Sequence, residues 1–292
     1  KNNKTLNGKA AIITGANQGL GLRIAEKYIE AGASVMIIAR DGTLLQKAHD
    51  SLAKLKTGSQ KVIMHQGDVS KESDVKLFVN KAISVFGECH ILVNNAGVYG
   101  PMGQIEDIDW NEWVKAVEIN TFGSILMCKY ILPFFKSQGW GKIIQLSGGG
   151  ATNPLPRISA YAASKAAVVR FTETLAEEVR GKGIDVNAIA PGALNTRILD
   201  EVLAAGPEKV GSAFYERSRN QKEKGGTSLE LGADLAVFLA SSASDGITGK
   251  LISAVWDNWH LWPKHLSDLN SSDVYTLRRI AGRDRSFSWG DK

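Results

Sequence analysis

Seven short apolar runs alternate with stretches of helical length along this 292-residue chain. The runs cover residues 10–14, 34–39, 62–65, 90–94, 142–146, 184–190 and 251–256. Each run is largely continuous in its apolar character, which is typical of strands that are buried on both faces. Strands that alternate with helices predict β-α-β units, and right-handed crossovers then give a doubly wound parallel sheet with helices on both faces. We therefore predict an α/β fold.

A glycine-rich turn follows the first run directly and opens the first helical stretch. Glycine permits positive φ and lets the backbone approach a phosphate group, and a helix N-terminus supplies free N–H donors. A strand, a turn of this kind and a helix together are the setting in which a glycine pattern predicts dinucleotide binding. The predicted phosphate-binding residues are Gly15, Asn17, Gln18, Gly19, Leu20 and Gly21.

The end of the second run bears on the choice of dinucleotide. No acidic residue stands at Ala39 to accept hydrogen bonds from the adenosine ribose, and Arg40 follows, whose guanidinium could pair with a 2′-phosphate. This pattern favours NADP(H), with NAD(H) as the alternative. Asp41 weakens the preference, and Arg40 could instead be a solvated charge or stack on the adenine.

Three side chains suggest proton transfer to or from an alcohol oxygen. Tyr161 and Lys165 are four residues apart in a helical stretch, so they share one face, and a neighbouring ammonium is expected to lower the pKa of the phenol. Ser147 ends the fifth run, and its hydroxyl could hold a carbonyl oxygen beside the Tyr161 hydroxyl. Asn120 lies in the helical stretch 110–135. Because asparagine has a low helix propensity, we expect this residue to have a specific role there.

Taken together, these motifs resemble those of the classical short-chain dehydrogenases/reductases over residues 5–256. The matching segments, in the order of the family, are Thr14-Gly15-x-x-x-Gly19-x-Gly21, Asp68-Val69, Asn94-Asn95-Ala96-Gly97, Asn120, Ser147, Tyr161-x-x-x-Lys165 and Pro191-Gly192-x-x-x-Thr196. The stretch after the last run differs from the family, because Asn258-Trp259 replaces the usual glycine pair and the chain continues to Lys292.

The resemblance implies roles for the catalytic residues. Tyr161 would be the acid/base, Lys165 would lower its pKa and bind the nicotinamide ribose, Ser147 would orient the carbonyl, and Asn120 would hold a relay water. The resemblance also implies further cofactor contacts at Asp68, Val69, Asn94, Ala96, Gly97, Pro191, Gly192, Leu194 and Thr196. No metal is implied.

Two regions go beyond the alternating pattern. The polar segment 204–226 predicts a binding loop or lid, within a substrate-covering region near 194–228, although a solvated surface excursion is the alternative. The catalytic domain would thus span residues 1–256, followed by a tryptophan-rich extension over 257–292. Because exposed indole surface is costly, we expect Trp256, Trp259, Trp262 and Trp289 to dock on this domain or on a partner subunit.

Composition narrows the functional classes. A net charge of +5 with both signs interspersed gives no basic stripe, so nucleic-acid binding is not expected. Two cysteines without metal-ligand spacing indicate a reducing compartment, the start of the chain resembles no signal peptide, and no apolar run is long enough to cross a membrane. We expect a cytoplasmic protein.

The sequence therefore favours NADPH-dependent reduction of a ketone to a secondary alcohol, with Tyr161 supplying the proton. NAD-dependent oxidation of a secondary alcohol, sugar or polyol is the alternative within the same class. A catalytically silent dinucleotide-binding scaffold or sensor is the alternative of a different class. A homodimer or homotetramer is expected, built from the helices around residues 110–135 and 158–179.

Overall fold

All seven predicted strands form within residues 4–289, the part of the chain that the computed structural model describes. They lie in one parallel sheet of order β3-β2-β1-β4-β5-β6-β7. The strands are β1 (Ala10–Thr14), β2 (Ser34–Ala39), β3 (Val62–Gln66), β4 (Ile91–Asn94), β5 (Gly141–Leu146), β6 (Ile184–Ala190) and β7 (Leu251–Ser253). The order changes direction between β1 and β4, which opens a crevice at the carboxyl ends of these two strands. The predicted doubly wound α/β fold is confirmed.

Helices cover both faces of this sheet. Neighbouring strand residues alternate between the two cores, so that Ile13 packs on the side of α1 and α9, while Ile12 packs on the side of α3, α5 and α6. The helices are α1 (Gly19–Glu30), α2 (Gly42–Ala53), α3 (Glu72–Phe86), α4 (Trp110–Val117), α5 (Gly123–Gln138), α6 (Ser159–Glu178), α7 (Arg197–Val210), α8 (Ser212–Lys224), α9 (Leu229–Ala240) and α10 (Leu266–Ser271).

The predicted helical stretch 110–135 is interrupted in its middle. A π-helical turn over Glu118–Phe122 separates α4 from α5. Such turns are rare and occur frequently at functional sites. This turn contains Asn120, the asparagine that is unfavourable in a regular helix.

Two hydroxyl residues that precede helices do not cap them. The Ser70 hydroxyl donates to Asp68 Oδ1 at 2.7 Å and does not cap α3. The cap of α9 is not Thr227 but Ser228, whose hydroxyl accepts from the Glu230 N–H. Helices α1 and α3 end just before Gly32 and Gly87, and both glycines have positive φ.

The last strand is shorter than predicted. It stops at Ser253 because the chain turns there: Asp257 Oδ2 accepts from the Ser253 N–H at 2.7 Å, and the Ser253 hydroxyl accepts from the Trp256 N–H at 3.1 Å. Trp256 therefore lies in a turn at the carboxyl end of β7 and not in the strand.

The polar segment 204–226 is not an irregular loop. It forms the second half of α7 and all of α8, two helices that pack on each other. Gly206 breaks the helical path inside α7 with φ 81°, and Gly211 separates α7 from α8 with φ 85°. Most of the charged residues of this segment therefore lie on the solvent-exposed faces of two short helices.

The tryptophan-rich extension folds back on its own domain. Trp259 and Trp262 are buried against the core, as expected, and the Leu251 N–H at the free edge of β7 donates to Tyr275 O at 2.8 Å. The other two do not dock on this domain, since Trp256 is 87% exposed and Trp289 is 74% exposed; their docking on a partner subunit stays a prediction. The extension is thus held on its domain by two buried indole rings and by a backbone hydrogen bond to β7.

Within the described residues, no helix is long and apolar enough to cross a membrane, and no group of three or more His, Cys, Asp or Glu side chains converges as a metal site. Cys89 and Cys128 are free and buried, and burial raises the pKa of both thiols to about 12. Residues 1–3, on which the signal-peptide expectation partly rests, lie outside the described part.

An ion-pair network joins α1 to α9, the two helices that cover one face beside the crevice. Arg23 Nε and Nη2 donate to the two carboxylate oxygens of Glu230 at 2.6 and 3.0 Å, and Lys27 Nζ lies 2.9 Å from both Glu230 and Asp234. These hydrogen bonds lower the pKa of Glu230 to about 2. Its stabilising effect is therefore complete above its ordinary pKa and is lost as the pH falls toward the lowered value.

We expect Glu230→Gln to lower the free energy of unfolding by about 1 kcal/mol at pH 7, since the pair is partly exposed and screened by solvent. The difference from wild type should shrink at pH 3, as measured by urea unfolding at both values. Glu177→Gln removes a pair with Arg180 that joins no two helices, and it is the matched control. Equal stability of Glu230→Gln and wild type at pH 7 would contradict the role of this network.

Candidate active site

A cleft of about 1120 Å³ runs along the carboxyl ends of the central strands. Loops that follow β1, β2, β4, β5 and β6 contribute to its walls, as does the segment of α7 and α8. This is the edge at which open parallel sheets bind their ligands. The predicted site residues that line it are Gly15, Asn17, Gln18, Gly19, Leu20, Arg40, Asp68, Val69, Ala96, Gly97, Ser147, Tyr161, Lys165, Pro191, Gly192, Leu194 and Thr196.

The glycine turn is held so closely that side chains would not fit. A Cβ at Gly15, where φ is 64°, would lie 2.8 Å from the Ala96 Cα, and one at Gly21 would lie 2.4 Å from the Asn95 Nδ2. Helix α1 begins at Gly19 with no side-chain cap and no acidic residue in its first turn. Its first N–H groups therefore face the cleft with a positive dipole end, which fits the pyrophosphate of a dinucleotide.

Asn95, a residue that the sequence reasoning did not single out as a contact, fixes this turn. Its Nδ2 donates to Thr14 O at 3.1 Å and to Gly15 O at 3.0 Å, while the Thr14 hydroxyl accepts from the backbone N–H of Asn95 and Ala96. The predicted contact Asn94 does not line the cleft, since its amide is buried and donates to Ser124 O. Strand alternation explains the difference, because neighbouring residues face opposite sides.

The adenosine end of the cleft carries charges of both signs. Arg40 is exposed, and the adjacent Asp41 uses its carboxylate to cap α2 through the Leu44 N–H at 2.9 Å. Burial raises the pKa of Asp68, but hydrogen bonds from Ser70 and the charges of Lys115 and Arg40 outweigh it, so the net pKa is lowered. Asp41 is thus occupied locally, whereas the exposed Arg40 lines the cleft.

Tyr161 and Lys165 lie one turn apart near the start of α6, where Lys165 is buried and Tyr161 is partly buried. Lys165 Nζ donates to Leu146 O at 2.6 Å and lies 5.7 Å from the centre of the Tyr161 ring. Burial raises the pKa of Tyr161 well above its usual range, and burial lowers the pKa of Lys165 to about 8. The expected lowering of the Tyr161 pKa is therefore not found, because desolvation of the phenol, together with the neighbouring Tyr99, raises it.

Ser147 is a buried hydroxyl that opens onto the cleft. Within residues 4–289 its Oγ has no hydrogen-bond partner, which is uncommon for a buried polar atom. The next residue, Gly148, permits the close approach of Tyr161, since a Cβ there would lie 2.1 Å from the Tyr161 hydroxyl. A free hydroxyl beside a phenol is suited to hold one oxygen atom of a ligand.

Asn120 does not line the cleft but supports it. Its side-chain amide forms a pair of hydrogen bonds with the backbone of Val98, accepting from the N–H and donating to the carbonyl, both at 2.8 Å. Its Nδ2 also donates to the Ser164 hydroxyl at 2.9 Å. Asn120 thus joins the loop after β4 to α6, which is a positional reason for asparagine in this π-helical turn.

Other residues of the cleft wall carried no recognisable sequence signal. Tyr99 packs edge-on against the Tyr161 ring, with 4.5 Å between the ring centres. Leu155, Phe214, Arg217 and Trp256 also line the cleft, and they come from a loop, from α8 and from the turn after β7. Phe214 and Arg217 lie on a helix and Leu155 lies well beyond the end of β5, so the pattern of runs and turns could not place them in the cleft.

Comparison with known proteins agrees with this architecture. The family model described as short chain dehydrogenase matches residues 9–205. Among curated relatives, the chain is 33% identical to the D-beta-hydroxybutyrate dehydrogenase of Cupriavidus necator over 258 residues, covering 86% of this chain and 96% of that protein. It is 34% identical to the glucose 1-dehydrogenase of Gluconobacter oxydans over 250 residues, covering 84% and 90%.

Solved structures show the same fold. Levodione reductase superimposes with a TM-score of 0.78 at 26% identity, over 89% of this chain and 99% of that one. NAD+-bound xylitol dehydrogenase gives a TM-score of 0.75 over 85% and 98%, and its 24% identity supports the fold alone. With its parallel sheet, its glycine turn and its Tyr161/Lys165 pair, the chain belongs to the short-chain dehydrogenase/reductase family of NAD(P)-dependent oxidoreductases, which act on CH–OH groups.

Proposed function

We propose that the protein reduces a ketone to a secondary alcohol with NADPH. The observation that carries the proposal is the juxtaposition of an unpartnered, buried Ser147 hydroxyl with the partly buried Tyr161 hydroxyl across the side-chain-free Gly148. Burial raises the pKa of Tyr161, so the phenol keeps its proton at neutral pH. A protonated phenol is the form needed to donate a proton to a carbonyl oxygen, which favours reduction.

Each residue of the site would have a separate role in the reduction. A bound nicotinamide dinucleotide supplies the hydride, as in other members of the family. Ser147 holds the carbonyl oxygen, and Tyr161 donates the proton to it. Lys165, anchored on Leu146 O and charged below about pH 8, holds the ribose and keeps positive charge near the phenol. Asn120 positions α6 against the loop after β4 and would hold the relay water behind Lys165.

Oxidation of a secondary alcohol, sugar or polyol with NAD remains the second candidate, because the same residues can run the reaction in reverse. Relatives named as D-beta-hydroxybutyrate dehydrogenase and glucose 1-dehydrogenase favour hydroxyl substrates of this kind. A silent scaffold is disfavoured, since Ser147, Tyr161 and Lys165 stand together in the cleft. A reducing, cytoplasmic setting is part of the proposal because both cysteine thiols are free.

Tyr161→Phe removes only the hydroxyl and should lower kcat by about 10²–10⁴-fold, the usual contribution of a general acid. Binding of NADPH, followed by its fluorescence, should stay near the wild-type affinity. Tyr130→Phe removes a hydroxyl that contacts Glu72 on the surface and is the matched control, with unchanged kcat. Turnover of Tyr161→Phe at the wild-type rate would refute the mechanism.

We propose NADP(H) as the cofactor because Arg40 is exposed at the adenosine end and Asp41 is occupied in capping α2. Arg40→Ala should weaken NADPH binding about 10–100-fold, since a charge-assisted contact is lost, and leave NADH binding unchanged. Titration calorimetry with both nucleotides measures this. Lys47→Ala, a change of the same charge on α2, should alter neither affinity. An Arg40→Ala variant that binds both nucleotides as wild type does would favour the NAD alternative.

We also propose a homodimer or homotetramer assembled through α4, α5 and α6. Trp110, 64% exposed and stacked on Trp113, and Phe122, 51% exposed, give this face a large apolar surface. Light scattering should therefore report a dimer or tetramer for wild type and a smaller species for Phe122→Asp. Leu55→Asp, a similar change at another exposed apolar position, should not alter the mass. A monomeric wild type would contradict the proposal.

A further inference from the structure

Helix α8 brings one arginine into the cleft without a carboxylate partner. Arg217 lines the cleft, and no acidic side chain of residues 4–289 forms an ion pair with it. The other cleft-lining charges of this segment are neutralised, since Arg197 pairs with Glu201 and Asp200 accepts from Lys222 at 2.7 Å. Arg217 thus adds a net positive charge to this wall of the cleft.

The surroundings of Arg217 differ from those of the next arginine on the same helix. Arg219, two residues further and so about 200° around the helix, pairs with Glu216 at 2.6 Å and lies outside the cleft lining. The guanidinium of Arg217 lies over the Phe214 ring at 5.8 Å. Stacking on an aromatic face leaves the N–H groups at the edge of the guanidinium free to bind an anion in a bidentate way.

Apolar surface stands beside this charge. Trp256, from the turn after β7, is 87% exposed while lining the cleft, and Leu155 contributes an aliphatic wall after β5. An exposed indole at a cleft is a typical contact for the apolar part of a ligand. The carboxylate of Asp257 lines the cleft as well, but it is occupied by the Ser253 N–H, and burial raises its pKa.

We propose that the substrate is an anionic carbonyl compound, or the corresponding alcohol, whose carboxylate or phosphate monoester is held by Arg217. This inference rests on the proposed function, since the reacting oxygen would lie at Ser147 and Tyr161. The apolar part of the substrate would pack against Trp256 and Leu155. Residues 194–228 then form the wall that selects the substrate, and α8 carries the arginine that recognises its anionic group.

Paired substrates test the proposal. The first set holds 4-oxo and 5-oxo acids, each beside its methyl ester, and the second holds ketose phosphates beside the free ketoses; the two sets distinguish a carboxylate from a phosphate. Wild type should show a higher kcat/KM for the charged member of at least one pair, by about 10–100-fold, as expected for a charge-assisted contact. Arg217→Met should abolish that preference by raising KM for the charged member only.

Two further variants complete the design. Arg219→Met, the matched control on the outer face of α8, should keep the wild-type preference, and Arg217→Lys should restore part of it, since the charge returns without the bidentate geometry. Equal kcat/KM within every pair for wild type overturns the proposal, as does an equal loss on charged and neutral members in Arg217→Met. Failure to turn over any carbonyl or alcohol would instead overturn the proposed function.

Discussion

The contact between Lys165 Nζ and Leu146 O is the interaction on which the geometry of the site depends. It ties α6 to the end of β5 at 2.6 Å, inside the protein, and so brings Tyr161 to the residue that follows that strand, Ser147. Gly148 makes the approach sterically permissible. Because an unpaired buried ammonium is costly, the carbonyl at the end of β5 acts as a fixed anchor for the helix. The catalytic pair is thus positioned by the sheet.

Burial also decides the electrostatics of this pair. Both groups are desolvated, and desolvation disfavours a charge on either, so it raises the pKa of the phenol and lowers that of the amine. The sequence spacing correctly predicted that the two side chains share a face, but spacing alone says nothing about solvent. The consequence is a neutral, proton-bearing Tyr161 beside an amine that titrates near pH 8, a pair more suited to donating a proton than to removing one.

The sheet itself was largely predictable. All seven strands occur where apolar runs predicted them, because strands buried on both faces need continuous apolar sequence. The glycine turn and Ser147 were identifiable for a related reason, since each directly follows one of these strands, whereas Tyr161 was identified by its spacing to Lys165. Asn95 was overlooked in favour of Asn94, because which of two neighbouring residues faces the cleft depends on the pleat and not on composition. Trp256 was misplaced because two side-chain caps, from Asp257 and Ser253, end β7 early.

The residues that would choose the substrate come from elements that the sheet does not position. Phe214 and Arg217 lie on α8, whose orientation depends on packing against α7 and on the glycine hinges at Gly206 and Gly211. Gln221 connects this helix to the loop after β6 by donating to Leu194 O at 3.2 Å. Such tertiary contacts leave no periodic trace in the sequence. Site residues near the strand ends can therefore be predicted from sequence motifs. Residues that select the substrate cannot, because their prediction requires knowing which face of α8 lines the cleft.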